Sequence, residues 1–198
     1  MCKIKIIEHI SLDGVIQSPG SADEDRSGDF QFGGWSTRFS DPSLGDVIFK
    51  AHREPFELLL GRGVYDIWAA YWPKQQNDFA ATFNKVTKHV VTHRPESLTW
   101  GPAKAISADV VNAVQALKTS NGPDLICWGS SSLTPTLLAN ELADEITLIT
   151  YPILLGTGKK FFAEGTPPCQ LELVTSLQLP SGIMVKTFKA AGPIQFEQ

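Results

Sequence analysis

A chain of 198 residues with 42% hydrophobic and 19% charged residues has the size and composition of one globular domain, which we assign to residues 1–198. The formal net charge of -4 argues against a nucleic-acid partner, which demands a basic face. Cys2, Cys127 and Cys169 are odd in number and widely spaced, which predicts reduced thiols and excludes a disulfide framework.

The opening residues carry charges at Lys3, Lys5 and Glu8 and lack a long apolar run, so we expect no secretory signal. No later stretch approaches the length of a membrane span. The four histidines show no metal-ligand spacing, and we predict no metal site. Together these features predict a cytoplasmic protein without a membrane partner.

The N-terminal half begins with a strand and continues into a long loop. β-Branched residues from Ile4 to Ile10 predict the strand. The polar stretch from Ser11 to Pro42 contains scattered Phe and Trp residues, which favour an ordered lid over a disordered tract. A helix is predicted from Ser43 to Arg53, and a short buried strand from Phe56 to Leu60.

The rest of the chain alternates between helices and strands. Further helices are predicted over Val64–Trp68, over Asp78–Asn84, from an N-cap at Asp109 to Asn121 and Gly122, and after a cap at Ser131 or Ser132. Further strands are predicted at Val90–Val91, Leu98–Ile106, Leu125–Trp128, Glu145–Tyr151, Gln170–Leu177 and Ile183–Phe188, the last two as an antiparallel hairpin.

This alternation predicts an α/β fold with three layers, α/β/α, around a mostly parallel central sheet with an antiparallel C-terminal edge. In such sheets, ligands bind at the carboxyl ends of the strands. The turns that follow Ile10, Leu60, Val91 and Trp128 are therefore the places where a site is expected.

The first two turns allow two interpretations each. Asp13 with Gly14 fits a carboxylate that holds a ligand, but a plain Asp-Gly turn is the more common meaning of this pair. Gly61 and Arg62 stand where a strand passes into a helix, whose free N–H groups attract anions. A tight turn with a solvated arginine explains the same residues.

The other two turns are also polar. Thr92, His93 and Arg94 suit a phosphate, such as the 2′-phosphate that separates NADPH from NADH, and they also suit an ordinary loop. The small residues Gly129, Ser130 and Ser131 before Leu133 allow close approach of a pyrophosphate, or they serve only as a helix cap. The shared position of the four turns favours one nucleotide cleft.

Several segments resemble a known family. They are SLDGVI from Ser11, GGWS from Gly33, LLLGRGVYDIWAAYWP from Leu58 and WGSSSLTPTLLANELADEITLITYPILLGTGKKFF from Trp128. In this order they are similar to the dihydrofolate-reductase-like proteins built on the reductase domain of riboflavin biosynthesis. The resemblance spans nearly the whole chain, from about Ile4 to Phe188.

The resemblance implies NADPH bound across the carboxyl edge of the sheet. Ile16 then lies near the nicotinamide, with Gly61 and Arg62 on a cofactor phosphate. The segment Thr92–Arg94 takes the 2′-phosphate side, and the segment Gly129–Leu133 takes the pyrophosphate. Relatives are often homodimers, and the apolar Ile146–Leu155 strand with its C-terminal neighbours is the expected contact surface.

The resemblance also bears on the substrate. Asp13 matches the substrate-side carboxylate, and Asp46 stands near the acid that holds the pterin in dihydrofolate reductases, although a helix-dipole role explains Asp46 better. Trp128 replaces the glutamate of riboflavin reductases, which argues against their ribitylaminopyrimidine substrate. Trp35 lies in the long loop that is expected to close over the site. It either contacts the substrate or only anchors this loop to the rest of the protein.

The expected function is hydride transfer from NADPH to a small heterocyclic substrate that is pterin-like or pyrimidine-like, with a water molecule or Asp46 as the proton donor. The alternative is a non-catalytic protein on the same fold that binds a nucleotide or only dimerises. The glutamate missing at Trp128 favours this alternative.

Overall fold

The structure is a computed structural model that describes residues 2–53, 55–192 and 194. Within these residues, eight strands form one sheet and five α-helices flank it. The strands are β1 (Ile4–Ser11), β2 (Phe56–Gly61), β3 (Lys88–Val91), β4 (Ala103–Ile106), β5 (Asp124–Trp128), β6 (Glu145–Tyr151), β7 (Leu171–Gln178) and β8 (Met184–Ala190). The helices are α1 (Pro42–Ala51), α2 (Arg62–Tyr71), α3 (Asp78–Lys85), α4 (Val110–Thr119) and α5 (Leu133–Ala139).

The strands lie in the order β4-β3-β2-β5-β1-β6-β8-β7. All pairs from β4 to β6 are parallel, whereas β8 runs antiparallel to both β6 and β7. The predicted fold class is therefore confirmed. The first strand lies in the middle of the sheet, and its carboxyl end faces the same edge as those of β2 and β5.

Side chains that alternate along the strands build two hydrophobic cores, one on each face of the sheet. Ile7, Leu58 and Ile126 point to the first core, which packs against α1, α2 and α3. Ile4 and Ile6 point to the second core, against α4 and α5. Both faces of the central strands are covered, which explains their nearly continuous apolar sequences.

Polar side chains fix the starts of three helices. Asp41 accepts a hydrogen bond from the Ser43 amide at 3.0 Å, and Asn77 accepts one from the Ala80 amide at 2.9 Å. Asp109 accepts one from the amide three residues on, which confirms the predicted cap of α4. That helix ends at Thr119, two residues before the predicted stop.

The predicted contact surface, the Ile146–Leu155 strand with its C-terminal neighbours, stays a prediction, but β6 contributes little exposed apolar surface to it. This strand is hydrogen-bonded on both sides, to β1 and to β8, and its apolar side chains are mostly buried. The outer edge on this side of the sheet is β7, where Leu173, Val174 and Leu177 are exposed.

The described residues contain neither a membrane-spanning helix nor a metal-binding cluster. None of their helices has the length and apolar composition needed to cross a bilayer. In the same residues, no three His, Cys, Asp or Glu side chains are grouped closely enough to hold a metal ion.

Candidate active site

A cleft of ≈ 810 Å³ opens at the carboxyl ends of β1 and β5. Its walls include Glu8 and His9 from β1, Trp128 and Gly129 from the end of β5, and residues of α2. Its volume lies within the range of about 300–1,000 Å³ that is typical of sites for small molecules and cofactors. The sheet therefore places a cleft where its topology predicts a ligand.

The turn after β5 forms one rim of this cleft. Gly129 has φ +53°, a conformation that disfavours a side chain, and Ser131 also lines the cleft. The Ser130 hydroxyl is buried and accepts a hydrogen bond from the Leu133 amide at 3.2 Å. The N-cap position of α5 is Ser132, as predicted, but the hydroxyl that accepts an amide of the first turn is that of Ser130.

Gly61 is a glycine because the turn after β5 comes very close to it. A Cβ atom at this position would collide with the Ser130 hydroxyl and would also lie 3.4 Å from that of Ser132. Gly61 is also the N-cap of α2, and it provides no side-chain cap for the N–H groups of the first turn. The two predicted glycine turns therefore pack against each other, and the start of α2 remains available to an anion.

Arg62 is held by the protein in several directions. Its Nε donates to both Asp66 carboxylate oxygens, at 2.8 and 2.9 Å. Its Nη1 donates to the Ser97 hydroxyl at 2.8 Å, to the Arg94 carbonyl at 3.1 Å and to the Thr92 hydroxyl at 3.3 Å. Arg62 thus ties the start of α2 to the loop after β3.

Arg94 is the more accessible cation of this cluster. Its side chain is 62% exposed, and one guanidinium nitrogen lies 3.7 Å from Asp66. Thr92 is buried and accepts the Arg94 amide at 3.0 Å, while the His93 side chain is exposed. The predicted phosphate residues are therefore together, but Arg62 shapes the loop and Arg94 faces solvent.

The cleft and this cation cluster are adjacent parts of one edge. The cleft is lined by Ile16, Trp128, Gly129 and Ser131 from the predicted set, whereas Gly61, Arg62 and the Thr92–Arg94 loop lie outside it. Val64 links them, since it stands one turn into α2, lines the cleft and approaches the position of a Gly129 Cβ at 3.8 Å.

Aromatic side chains form the wall on the α1–α3 side. Trp68 stacks on Phe83 with centroids 5.1 Å apart and lies 6.1 Å from Trp128. Trp72 and Phe79 line the same wall, and the Trp72 indole N–H is buried without a hydrogen-bond partner among the described residues. This wall offers flat apolar surfaces to the cleft.

Two hydrogen bonds fix Trp128 and define the tautomer of His52. The Trp128 indole donates to His52 Nε2 at 3.2 Å, so Nδ1 carries the proton and donates to the Ile48 carbonyl at 2.7 Å. Burial lowers the pKa of His52, which agrees with a neutral ring. Trp128 is thus a rigid part of the cleft.

Glu8 is the residue of this site that the sequence did not reveal. Its side chain lines the cleft and the residue is only 1% exposed. Among the described residues, no group forms a hydrogen bond to its Oε2. Burial raises the pKa of Glu8 well above its usual value. An acidic residue at a buried position of an otherwise apolar strand was the available signal.

His9, the next residue, points to the opposite face of the sheet. Its Nδ1 lies 2.9 Å from the Tyr151 hydroxyl, and its ring lies 5.5 Å from that of Trp128. Burial lowers the pKa of His9 to about 4 and raises that of Tyr151 to about 12. Both groups are therefore neutral at pH 7.

The structure does not support Asp13 as a catalytic or substrate-binding residue. Its carboxylate accepts the Leu155 amide at 3.1 Å and the Gly156 amide at 2.8 Å, and Asp13 does not line the cleft. Desolvation acts to raise its pKa, but hydrogen bonds, first of all from Ser11, bring the pKa below the usual value. Asp13 holds the chain after β6 in place.

Three other predicted residues also lie outside the cleft. Asp46 is exposed on α1, and a proton donor there would not face the cleft. Trp35 is buried and donates to the Gln17 carbonyl at 2.8 Å, so it anchors the loop. Leu133 is buried in the second core. A role for Asp46 in catalysis, for Trp35 in substrate binding or for Leu133 in cofactor contact has no support in this geometry.

The loop before α1 closes one end of the cleft. Gln17 and Ser18 are buried and line it, together with Ile16. The Ile16 amide donates to the Lys159 carbonyl at 2.9 Å, and the Lys159 amide donates to the Gln17 side chain at 3.1 Å. The predicted order of this loop therefore comes from contacts with the segment after β6.

Three crystal structures share this fold. A proposed riboflavin biosynthesis protein from Shewanella sp. PV-4 has a TM-score of 0.69 at 18% identity, covering 95% of this chain and 98% of its own. A pyrimidine reductase-like protein from Corynebacterium diphtheriae has a TM-score of 0.64 at 12% identity, covering 98% and 93%. Dihydrofolate reductase from Enterococcus faecalis, complexed with NADP(H) and RAB-propyl, has a TM-score of 0.60 at 14% identity, covering 96% of each chain. The fold is that of the dihydrofolate-reductase-like proteins.

The family follows from the sequence itself. The family model of the RibD C-terminal domain matches residues 3–185, and the chain belongs to that family. The resemblance noted in the sequence is thus confirmed. The uncharacterized protein YyaP of Bacillus subtilis (strain 168) is 28% identical over 148 residues, which are 73% of this chain and 78% of YyaP.

Proposed function

We propose that this protein is an NADPH-dependent reductase that transfers a hydride to a small, flat heterocyclic substrate, pterin-like or pyrimidine-like. The main support is one observation: α2 contributes both to the wall of the cleft at the carboxyl edge, through Val64, and to a neighbouring cluster of two arginines, through Arg62. A dinucleotide needs both features, a deep end for its ring and a basic end for its phosphates.

The residues of the site fit such a cofactor. Gly129 leaves space beside Glu8, and the uncapped start of α2 offers N–H groups to a phosphate. Arg94 is accessible for the 2′-phosphate, and Arg62 holds its loop in position. When bound, NADPH supplies the hydride, and the protein supplies binding, orientation and exclusion of water.

The aromatic wall suggests the substrate class. Trp68, Trp72 and Trp128 present ring surfaces on which a planar heterocycle stacks. At the position of Trp128, riboflavin reductases carry a glutamate. The rigid Trp128 therefore offers the substrate an apolar contact in place of a polar one. We therefore propose a substrate that is less polar than the ribitylaminopyrimidine of riboflavin synthesis.

Calorimetric titration with NADPH and NADH tests the cofactor. We expect clear preference for NADPH and a loss of about tenfold or more in its affinity on Arg94→Ala, since hydrogen bonds to charged groups contribute about 1.5–3 kcal/mol. Binding of NADH, which lacks the 2′-phosphate, should not change. Arg53→Ala removes an exposed arginine just after α1 and is the matched control.

Turnover is then tested by NADPH absorbance with dihydrofolate first, followed by a set of oxidised pterins and pyrimidines. Consumption of NADPH with any of them supports the reductase. Binding of NADPH without any turnover supports the alternative, a non-catalytic nucleotide-binding protein, and binding of neither nucleotide contradicts the proposal.

We further propose that the protein acts in the cytoplasm as a homodimer, in agreement with the sequence-based expectation. The exposed apolar residues of β7 (Leu173, Val174 and Leu177) are the surface that a second copy would cover. Light scattering coupled to size exclusion measures the mass directly. A dimer that dissociates on Leu173→Lys supports this surface, and a monomeric wild-type protein contradicts it.

A further inference from the structure

Glu8 is a buried carboxylic acid for which the fold alone gives no reason. It lies in the carboxyl half of the central strand β1, 1% exposed, with Oε2 unpartnered among the described residues. Its other oxygen, Oε1, lies 3.8 Å from the position that a Cβ atom would occupy if Gly129 carried a side chain. The carboxyl group thus faces the glycine turn, in the same cleft as Ile16.

The groups around Glu8 do not supply a positive charge. From the loop after β1, the Glu24 carboxylate acts on it, and from β5 its titratable neighbour is the buried Cys127 thiol. Within its own strand, the His9 backbone N–H acts in the opposite direction and lowers the pKa of Glu8. The other charged residues that line the cleft are Asp23, Asp25, Lys74 and Lys159, and Lys159 is paired with Asp25 at 2.7 Å.

A carboxyl group in such surroundings holds its proton. Burial raises the pKa of Glu8, and the charge of Glu24 adds to this effect. A positive charge brought next to the carboxyl group would reverse this balance, since an opposite charge within about 4–6 Å favours the ionised form. The oxidised nicotinamide ring carries a positive charge and the reduced ring does not.

We propose that Glu8 senses the redox state of the bound cofactor: it is protonated in the free and NADPH-bound protein and loses its proton when NADP⁺ occupies the cleft. This inference rests on the proposed function, because it requires the nicotinamide end of the cofactor to lie beside Ile16 and Gly129. The proton passes to the water of the cleft, and the Glu8 carboxylate then balances the charge of the oxidised ring.

The difference between the two cofactors has a direct consequence for binding. Binding of NADP⁺ releases a proton from Glu8, so its affinity increases with pH by up to tenfold per pH unit relative to that of NADPH. Both nucleotides carry the same 2′-phosphate, and proton exchange at that group cancels in the comparison. The ratio of NADPH affinity to NADP⁺ affinity therefore falls as the pH rises.

Titration calorimetry measures this coupling without catalysis. NADP⁺ and NADPH are each titrated in phosphate and in Tris at the same pH, because the difference in ionisation heat of the two buffers gives the number of protons released. We expect NADP⁺ to release up to one proton more than NADPH. In Glu8→Gln this difference should disappear, and in Asp46→Asn, which removes an exposed acid outside the cleft, it should remain.

The possible outcomes distinguish a failure of the role proposed for Glu8 from a failure of the proposed reductase function. Equal proton release with both nucleotides, or a difference that persists in Glu8→Gln, overturns the role of Glu8 and leaves the reductase proposal intact. Failure of the wild-type protein to bind either nucleotide overturns both. The wild-type comparison needs no variant, and Glu8→Leu serves as a second, apolar replacement if Glu8→Gln does not fold.

Discussion

Asp66 shows how a single carboxylate sets the charge of the arginine cluster that we propose for the 2′-phosphate. It accepts two hydrogen bonds from Arg62 and lies 3.7 Å from a nitrogen of Arg94. The two guanidinium groups and the Asp66 carboxylate together carry a net charge of about +1, and this is the charge that would attract a 2′-phosphate. Asp66 therefore orders the cluster and at the same time weakens its attraction for an anion.

Removal of this charge is expected to increase the selectivity for NADPH. Asp66→Asn should raise the ratio of NADPH to NADH affinity by about 1.5- to 5-fold, the effect of the roughly 0.2–1 kcal/mol typical of exposed charge pairs. Titration of both nucleotides measures the ratio, and NADH is the internal control. A lower ratio would mean that the ordering role of Asp66 outweighs its repulsion.

At the level of residues, the sequence predicted where the turns lie better than it predicted the contacts of the individual side chains. The positions of Gly61, Arg62 and Gly129 at the ends of strands were predictable because glycine and arginine at such turns have a local meaning, whereas their roles toward a cofactor stay predictions. Asp13 was misassigned because its partners, the amides at 155 and 156, lie about 142 residues away in the chain. No local pattern shows such a contact, and Glu8 was missed because its strand pattern predicts only burial.

The segment after β6 is the element that holds the loop of the cleft. Gly158 has φ +119°, and a Cβ there would lie 2.7 Å from Val15 Cγ1 and 2.8 Å from Phe30 Cε2. The Phe161 amide donates to the Gly14 carbonyl at 2.9 Å. The glycine therefore allows two distant segments to approach each other closely, next to Ile16.

A pair of glycine variants tests this contact. Gly158→Ala should lower the free energy of unfolding by about 1–3 kcal/mol more than Gly156→Ala, because it adds overpacking to backbone strain. Gly156 has a positive φ but nothing within 4 Å of its Cβ position, so it reports the strain alone, about 1–2 kcal/mol. Urea unfolding measures both, and equal effects would show that the packing at Gly158 is unimportant.

The elements themselves were predictable because each has a local signal. Alternation of apolar residues predicted the strands, and Asp109 predicted the start of α4. The N-cap position of α5 was predicted correctly, but Ser130, Ser131 and Ser132 are chemically alike, so the sequence did not show that the Ser130 hydroxyl, next to Gly61, accepts the Leu133 amide. The neighbours of β6 also depend on topology, which the sequence alone did not give.

On the scale of the whole molecule, the neutral and half-buried His9 makes stability sensitive to acid. Burial lowers the pKa of His9 to about 4, below the value of about 6.5 in an unfolded chain. The unfolded state therefore binds more protons between these values, and stability is lost as the pH falls from about 6.5 to about 4.

The variant His9→Gln isolates this contribution. Its stability should fall less steeply than that of the wild-type protein over this pH range, by about 1–3 kcal/mol. Thermal or urea unfolding at a series of pH values measures the slope, and His93→Gln, which removes an exposed loop histidine, is the control. Parallel profiles for His9→Gln and the wild-type protein would exclude His9 as the source.

The central claim is that one edge of the sheet binds a dinucleotide along its length, from Arg94 to Glu8. A crystal structure of the protein with NADPH tests it most directly. The account predicts the nicotinamide ring against Ile16 and Gly129, beside the Glu8 carboxyl group, and the 2′-phosphate on Arg94. A nucleotide bound elsewhere on the molecule, or with its two ends reversed along this edge, would contradict it.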